Sequence, residues 1–148
     1  MITTPTFAAT FVQAANLLAT HLTEHDLPEP ASLEVISTAH RTRLTAQVHF
    51  LTMPRIVAEL LTWADTLTMV TIQARRPPSG NRVHLSIATA LIGPAGTVEL
   101  TIFGGTNHDP ALLGELTPGE HRTVTLGELR TWAADTSHRL TDGQGVTR

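Results

Sequence analysis

The stretch of sequence that decides the fold is LTAQVHF, residues 44–50, in which apolar and polar side chains alternate. VHLSIATALI, residues 83–92, alternates in the same way, and so do residues 33–40, 69–75 and 98–103. A period of two puts alternate side chains on opposite faces of a sheet. One apolar face and one polar face are typical of an antiparallel sheet that is covered on one side only. The sequence therefore predicts a sheet of at least five strands with one bare face.

Two amphipathic helices are predicted to cover the apolar face of this sheet. Apolar residues recur at helical spacing between residues 7 and 22 and again between about residues 53 and 66. In the second segment, Ile56, Leu60 and Trp63 lie on one stripe. These two patterns predict the first and second helices of the chain.

The last third of the chain predicts a short strand and a closing helix. A helical turn is expected at residues 110–116 and a sixth strand at residues 121–125. Thr125 and Glu128 have the spacing of a capping box and would open a helix that runs through Trp132.

The expected fold class is α+β, a two-layer sandwich with the element order α-β-β-α-β-β-β-(β)-α. Its sheet would be mostly antiparallel and five- to six-stranded, with helices mainly on one face. We expect one domain over residues 1–136 and a flexible tail over residues 137–148.

Composition excludes several classes of function. The chain has 148 residues, a net charge of −3 with neutral histidines, and no cysteine, and all its basic residues are arginines. Without cysteine it has no disulfide, thiolate metal site or thiol nucleophile. The acidic balance makes nucleic acid an unlikely partner, because such binding depends on basic patches. The sequence shows no secretory-type leader and no apolar run of membrane-spanning length, so a cytoplasmic protein is expected. No cofactor is expected either.

The element order is similar to that of roadblock/longin-type domains, which act as dimerising adaptors. It is also similar to the secretion-chaperone-like arrangement, whose members bind polypeptides as dimers. Residues 63–67, 103–105 and 129–133 resemble uncharacterised small proteins of GC-rich, actinobacterial-type genomes. The first two resemblances imply homodimerisation and protein binding, and the third implies no activity.

The polar face of the predicted sheet is the leading candidate for an interaction surface, because it is polar and weakly charged. Its residues, beside Glu99, are Thr45, Gln47, His49, Thr71, Gln73, His84, Ser86 and Thr101. An ordinary solvated face is the alternative interpretation of the same pattern.

Three other groups are candidate sites. Residues 104–109 are predicted to form a loop in which His108 and Asp109 could do acid–base work in a hydrolase or bind a small ligand, although Asp109 could equally cap the next turn. Arg75, Arg76 and Arg82 bracket a loop and are candidates for anion or nucleic-acid binding, as arginine forks suit phosphate.

The third group is His21-Leu22-Thr23-Glu24-His25, which matches the zinc-binding pattern H-x-x-E-H. Because it lies in the last turn before a proline-rich break, His21 and His25 are weak metal candidates, and a pair of half-buried helix-end histidines is the simpler interpretation. No catalytic motif is complete. The sequence therefore favours a non-enzymatic, homodimeric interaction or adaptor module that uses the sheet face or an edge strand.

Overall fold

Six strands form one mixed sheet in the computed structural model of the chain, which describes residues 7–38, 41–49, 52–93 and 96–134. The strands are β1 (Ser32–Ser37), β2 (Thr42–Gln47), β3 (Thr71–Arg75), β4 (Arg82–Gly93), β5 (Gly96–Asn107) and β6 (His121–Val124). Their order across the sheet is β1-β2-β5-β4-β3-β6. Only β2 and β5 pair in parallel, so the sheet is mostly antiparallel, as predicted.

The β4–β5 hairpin is the central and longest part of the sheet, with twelve residues in each strand. The prediction that β5 ends at Phe103 is wrong. Gly104 to Asn107 continue the strand and pair with Arg82 to Leu85 of β4. Glycine lacks a side chain that would mark either face, so the alternation ends in the sequence although the strand does not.

In the part of the chain that the structure describes, four helices cover one face of this sheet: α1 (Phe7–Glu24), α2 (Met53–Ala64), α3 (Pro110–Leu113) and α4 (residues 126–134). Leu17 of α1 approaches Gly93, and Ile56 of α2 approaches Gly104. Both glycines lie on the face that also carries the buried strand residues. The core therefore lies between the helices and this face.

The capping box predicted for α4 is present. The Thr125 amide donates to Glu128 Oε1 at 3.1 Å, and the Glu128 amide donates to Thr125 Oγ1 at 3.0 Å. Arg122 donates to Glu128 Oε2 at 3.0 Å, which lowers the pKa of Glu128, and its guanidinium lies 5.9 Å from the Trp132 ring centroid. These contacts fix α4 against β6, with Trp132 buried in the core.

The predicted α+β class, element order and one-sided cover are confirmed. The described parts of β1 and β2 end earlier than predicted, at Ser37 and Gln47. The predicted tail at residues 137–148 lies outside the described residues. Within the described segments, the helices are too short or too polar to cross a lipid bilayer.

Candidate functional site

The face of the sheet opposite the helices is the candidate functional surface, and we call it the open face. Strand register places Gln47, Phe103, Ser86 and Gln73 side by side across β2, β5, β4 and β3. A second row joins the threonines of β2, β5 and β3 to Ala88 of β4. The open face thus brings together seven of the eight residues predicted for the interaction surface: Thr45, Gln47, Thr71, Gln73, His84, Ser86 and Thr101.

The eighth predicted residue, His49, does not belong to this surface array. It lies in a bend after β2 ends at Gln47. Partial burial raises the pKa of Glu59 on α2, and the nearby His49 acts in the opposite direction as a smaller effect. A hydrogen bond with Trp63 also acts to lower it. The prediction that His49 lies on a strand is therefore wrong, because the chain has already turned towards α2.

Apolar side chains form a strip at the hairpin end of the open face, and we call this strip the alanine lane. Ala88 and Ala90 are exposed on β4, and Ile92 on the same strand is 82% exposed. Met69 lies in the bend before β3 and is 80% exposed, and its carbonyl accepts a hydrogen bond from Thr89 Oγ1, which holds the backbone of Met69 beside this end of β4. The alanine lane therefore combines the long, exposed side chains of Met69 and Ile92 with the short methyl groups of Ala88 and Ala90.

The other end of the open face carries positive charge, and we call this group of Arg75, Arg82, His84 and His121 the basic corner. His84 pairs with Arg75 of β3 and with Gly105 of β5, and Arg75 pairs with His121 of β6. A Cβ built on Gly105 would lie 3.0 Å from Arg82 Nη2 and 3.3 Å from His84 Nε2. Both side chains therefore lie over the bare backbone of Gly105.

His84 is the central side chain of the basic corner. Its ring stacks on Phe103 with 5.9 Å between centroids. Partial burial is the main cause that lowers the pKa of His84, followed by the positive charges of Arg82 and Arg75. A lowered pKa favours the neutral imidazole at neutral pH, with one nitrogen able to donate and the other to accept.

Arg76, although adjacent to Arg75, has a different role from the other two predicted anion-binding arginines. Its Nη1 donates to the Leu116 carbonyl at 2.7 Å, and its amide donates to the Glu120 carbonyl at 2.9 Å. Arg76 therefore holds the segment between α3 and β6. Only Arg75 and Arg82 of the predicted group come together on the open face.

The predicted ligand-binding loop at residues 104–109 is mostly strand. Gly104 lies under α2 on the covered face, whereas Gly105 lies on the open face. Asp109 caps α3, since its Oδ1 accepts from the Ala111 amide at 3.0 Å. His108 donates its amide to the Asn81 carbonyl, and its Nδ1 is buried with no partner among the described residues. Asp109 thus has the capping role that was the alternative to acid–base chemistry.

His21 serves in the packing of α1, whereas His25 lies just after the helix and is exposed, with its ring centroid 4.5 Å from that of His21. The expectation that both histidines are half-buried is therefore wrong for His25. His21 Nε2 lies 2.8 Å from Thr66 Oγ1, and its ring stacks at 6.1 Å on Trp63. Burial is the main cause that lowers the pKa of His21, with the neighbouring His25 acting in the same direction. Within the described segments, no group of three or more histidine and carboxylate side chains could hold a metal.

Comparisons with protein-family models, curated proteins and solved structures give no match to this chain. The functional argument therefore depends on the geometry of the open face.

Proposed function

We propose that this protein is a non-enzymatic interaction module that forms a homodimer through the open face of its sheet. The observation that carries the proposal is the alanine lane, where Met69 and Ile92 project into solvent beside Ala88 and Ala90. Exposed apolar side chains that cluster on a polar surface are typical of contact sites between proteins.

A second copy of the chain is the occupant that best fits this surface. A twofold axis makes a contact in which each copy presents the same patch. In such a contact, Met69 and Ile92 of one copy would pack on the exposed alanines of the other. The projecting and the flat parts of the lane are thus complementary to each other.

The open face is large enough for such a contact. Six strands that average between seven and eight residues, spaced about 4.8 Å apart with about 3.3 Å per residue, give an area on the order of 700 Å². This is close to the roughly 800 Å² that each partner contributes to a standard interface. Burying the two middle rows desolvates no charged side chain of β2, β3, β4 or β5. Beside the alanine lane, Glu99 lies opposite Ala90 and is paired with Arg41 and Arg43.

The edge strand β1 is the alternative contact surface. Ile36 and Leu33 on β1 are exposed, and in the described residues the outer edge of β1 pairs with no other strand. Edge strands with exposed apolar side chains are prone to pair with another chain, and a lysine on the edge prevents this. The two surfaces are therefore distinguished by charges placed on one or the other.

Sedimentation velocity over a concentration series tests the proposal with a matched pair of variants. Ala88→Arg places a charge in the alanine lane, whereas Ala58→Arg makes the same change on the exposed side of α2. We expect a dimer for the unmodified chain and for Ala58→Arg, and a monomer for Ala88→Arg. Leu33 pairs with the buried Ala46, so a charge at Leu33 lies on the edge strand and not on the open face. A dimer that persists in Ala88→Arg but dissociates in Leu33→Lys would assign the contact to β1 and overturn the proposal.

A further inference from the structure

We propose that the basic corner of the open face is a binding site for a phosphate group, either the free ion or the phosphate of a small monoester. Arg75, Arg82, His84 and His121 come from three different strands and meet on one side of the sheet. The basic corner lies at the opposite end of the open face from the alanine lane, which carries the proposal of self-association.

The geometry of Arg82 and His84 carries the inference. Both Arg82 Nη2 and His84 Nε2 lie within 3.3 Å of the position that a side chain at residue 105 would occupy. Since residue 105 has no side chain, the Arg82 guanidinium and the His84 imidazole lie directly on its backbone and their nitrogens come close together. Arg82 is exposed, so an anion can accept from both groups on their solvent side.

The charges of the basic corner have no acidic counterpart in the described residues. The acidic residues that pair with arginines elsewhere, Glu99 with Arg41 and Arg43, Glu128 with Arg122, and Asp65 with Arg130, do not contact this corner. Arg75 lies directly opposite His84, Arg82 lies two residues from it on the same strand, and both positive charges act against protonation of His84. A bound anion would offset these positive charges.

The number and type of donors favour phosphate over a carboxylate or a nucleic-acid backbone. Two guanidinium groups and two imidazoles offer more donors than a carboxylate has oxygens, whereas a phosphate dianion offers several strong acceptors. A nucleic-acid backbone needs a row of basic residues, and the next arginine, Arg76, is occupied by the Leu116 carbonyl.

The charged and titratable groups that face His84 also define how it would report binding. Arg82 lies on its own strand, Arg75 lies opposite on β3, and His121 lies beyond Arg75 on β6. On β5 its neighbours are the uncharged Gly105 and Phe103. A phosphate bound between the arginines would therefore raise the pKa of His84 by adding negative charge to a site that now holds only positive charge.

The test is a titration with inorganic phosphate and with phenyl phosphate at constant ionic strength, followed by the melting temperature and by the NMR signals of the His84 ring. We expect saturable binding that raises both the melting temperature and the pKa of His84. Tighter binding of phenyl phosphate would identify a monoester as the ligand class, with Phe103 beside the aromatic group. Equal binding would identify the free ion.

Three variants and one control make the test specific. Arg82→Gln and Arg75→Gln should each weaken binding about tenfold or more, as a charge-assisted hydrogen bond is lost. Gly105→Ala should also weaken binding, because the methyl group would displace the nitrogens of Arg82 and His84. Arg130→Gln removes the same charge from α4 and should leave binding unchanged.

Two results would overturn the inference. One is the absence of saturable binding for both probes. The other is an affinity that Arg82→Gln and Arg75→Gln leave unchanged while the melting temperatures without ligand show that both variants are folded. Either result would leave the sedimentation test of the homodimer unaffected.

Discussion

Gly104 and Gly105 are adjacent in β5 but face opposite sides of the sheet, and this difference makes a sharp prediction about stability. A Cβ on Gly104 would lie 2.8 Å from Val48 Cγ2 and 2.9 Å from Ile56 Cγ2, and both of these side chains are buried in the core. A Cβ on Gly105 would meet the ends of Arg82 and His84 on the open face. The first pair of contacts is rigid, whereas the second belongs to side chains that can move.

The magnitude follows from two opposing effects. Overpacking a core costs about 1–3 kcal/mol, and replacing glycine with alanine recovers about 0.4–1 kcal/mol by restricting the unfolded chain. Gly104→Ala should therefore lower the free energy of unfolding by about 1–2 kcal/mol. For a chain of this length, each kcal/mol corresponds to about 2–4 °C in the melting temperature. Gly105→Ala should leave stability unchanged or slightly raised.

Urea unfolding followed by the fluorescence of the two buried tryptophans measures both variants. The reasoning requires a clear loss of stability for Gly104→Ala and none for Gly105→Ala. Equal stability of the two variants would refute it, whether both were destabilised or neither, because the two faces of β5 would then not differ in packing.

Two further predictions concern α4 and α2. Thr125→Ala removes the hydroxyl that accepts from the Glu128 amide and should lower the free energy of unfolding by about 1 kcal/mol. Thr131→Ala, on the exposed side of the same helix, should leave it unchanged in thermal unfolding. Equal losses in the two variants would contradict the capping role. Burial raises the pKa of Glu59 above its value of about 4.5 in the unfolded chain. The contribution of Glu59 to the stability of the fold is therefore present below about pH 4.5 and is lost as the pH rises through the folded pKa. Glu59→Gln should therefore be more stable than the unmodified chain in urea at pH 7, with the difference shrinking towards pH 4, and a less stable variant at pH 7 would contradict this sign.

The covered and open faces of the sheet could be predicted because neighbouring residues along most strands differ in polarity. In β4, Val83, Leu85 and Ile87 are buried, and the residues between them are at least partly exposed. The capping box of α4 could also be predicted, since Thr125 and Glu128 interact within one turn and need no tertiary partner.

The extension of β5 could not be predicted from local sequence. Gly104 is required by the close approach of Ile56 on α2, a contact between residues far apart in the chain. Glycines followed by Thr106 and Asn107 have the composition of a loop, and for this reason the sequence predicts a loop at residues 104–109.

The basic corner depends on strand register, which the sequence does not specify. Arg75 and Arg82 lie on different strands and meet only because Arg75 pairs with His84. One part of the site could be predicted from β3 alone, because adjacent residues of a strand face opposite sides of the sheet. Arg75 and Arg76 are adjacent, so they are not expected to lie on the same face.

The measurement that tests the central proposal most directly is an isotope-filtered NOE experiment on an equal mixture of ¹³C-labelled and unlabelled protein. Contact through the open face predicts intermolecular NOEs between the methyl groups of Met69 or Ile92 in one copy and those of Ala88 or Ala90 in the other. Intermolecular NOEs confined to β1 would contradict the account. So would a monomer in sedimentation that gives no intermolecular NOEs at the same concentrations.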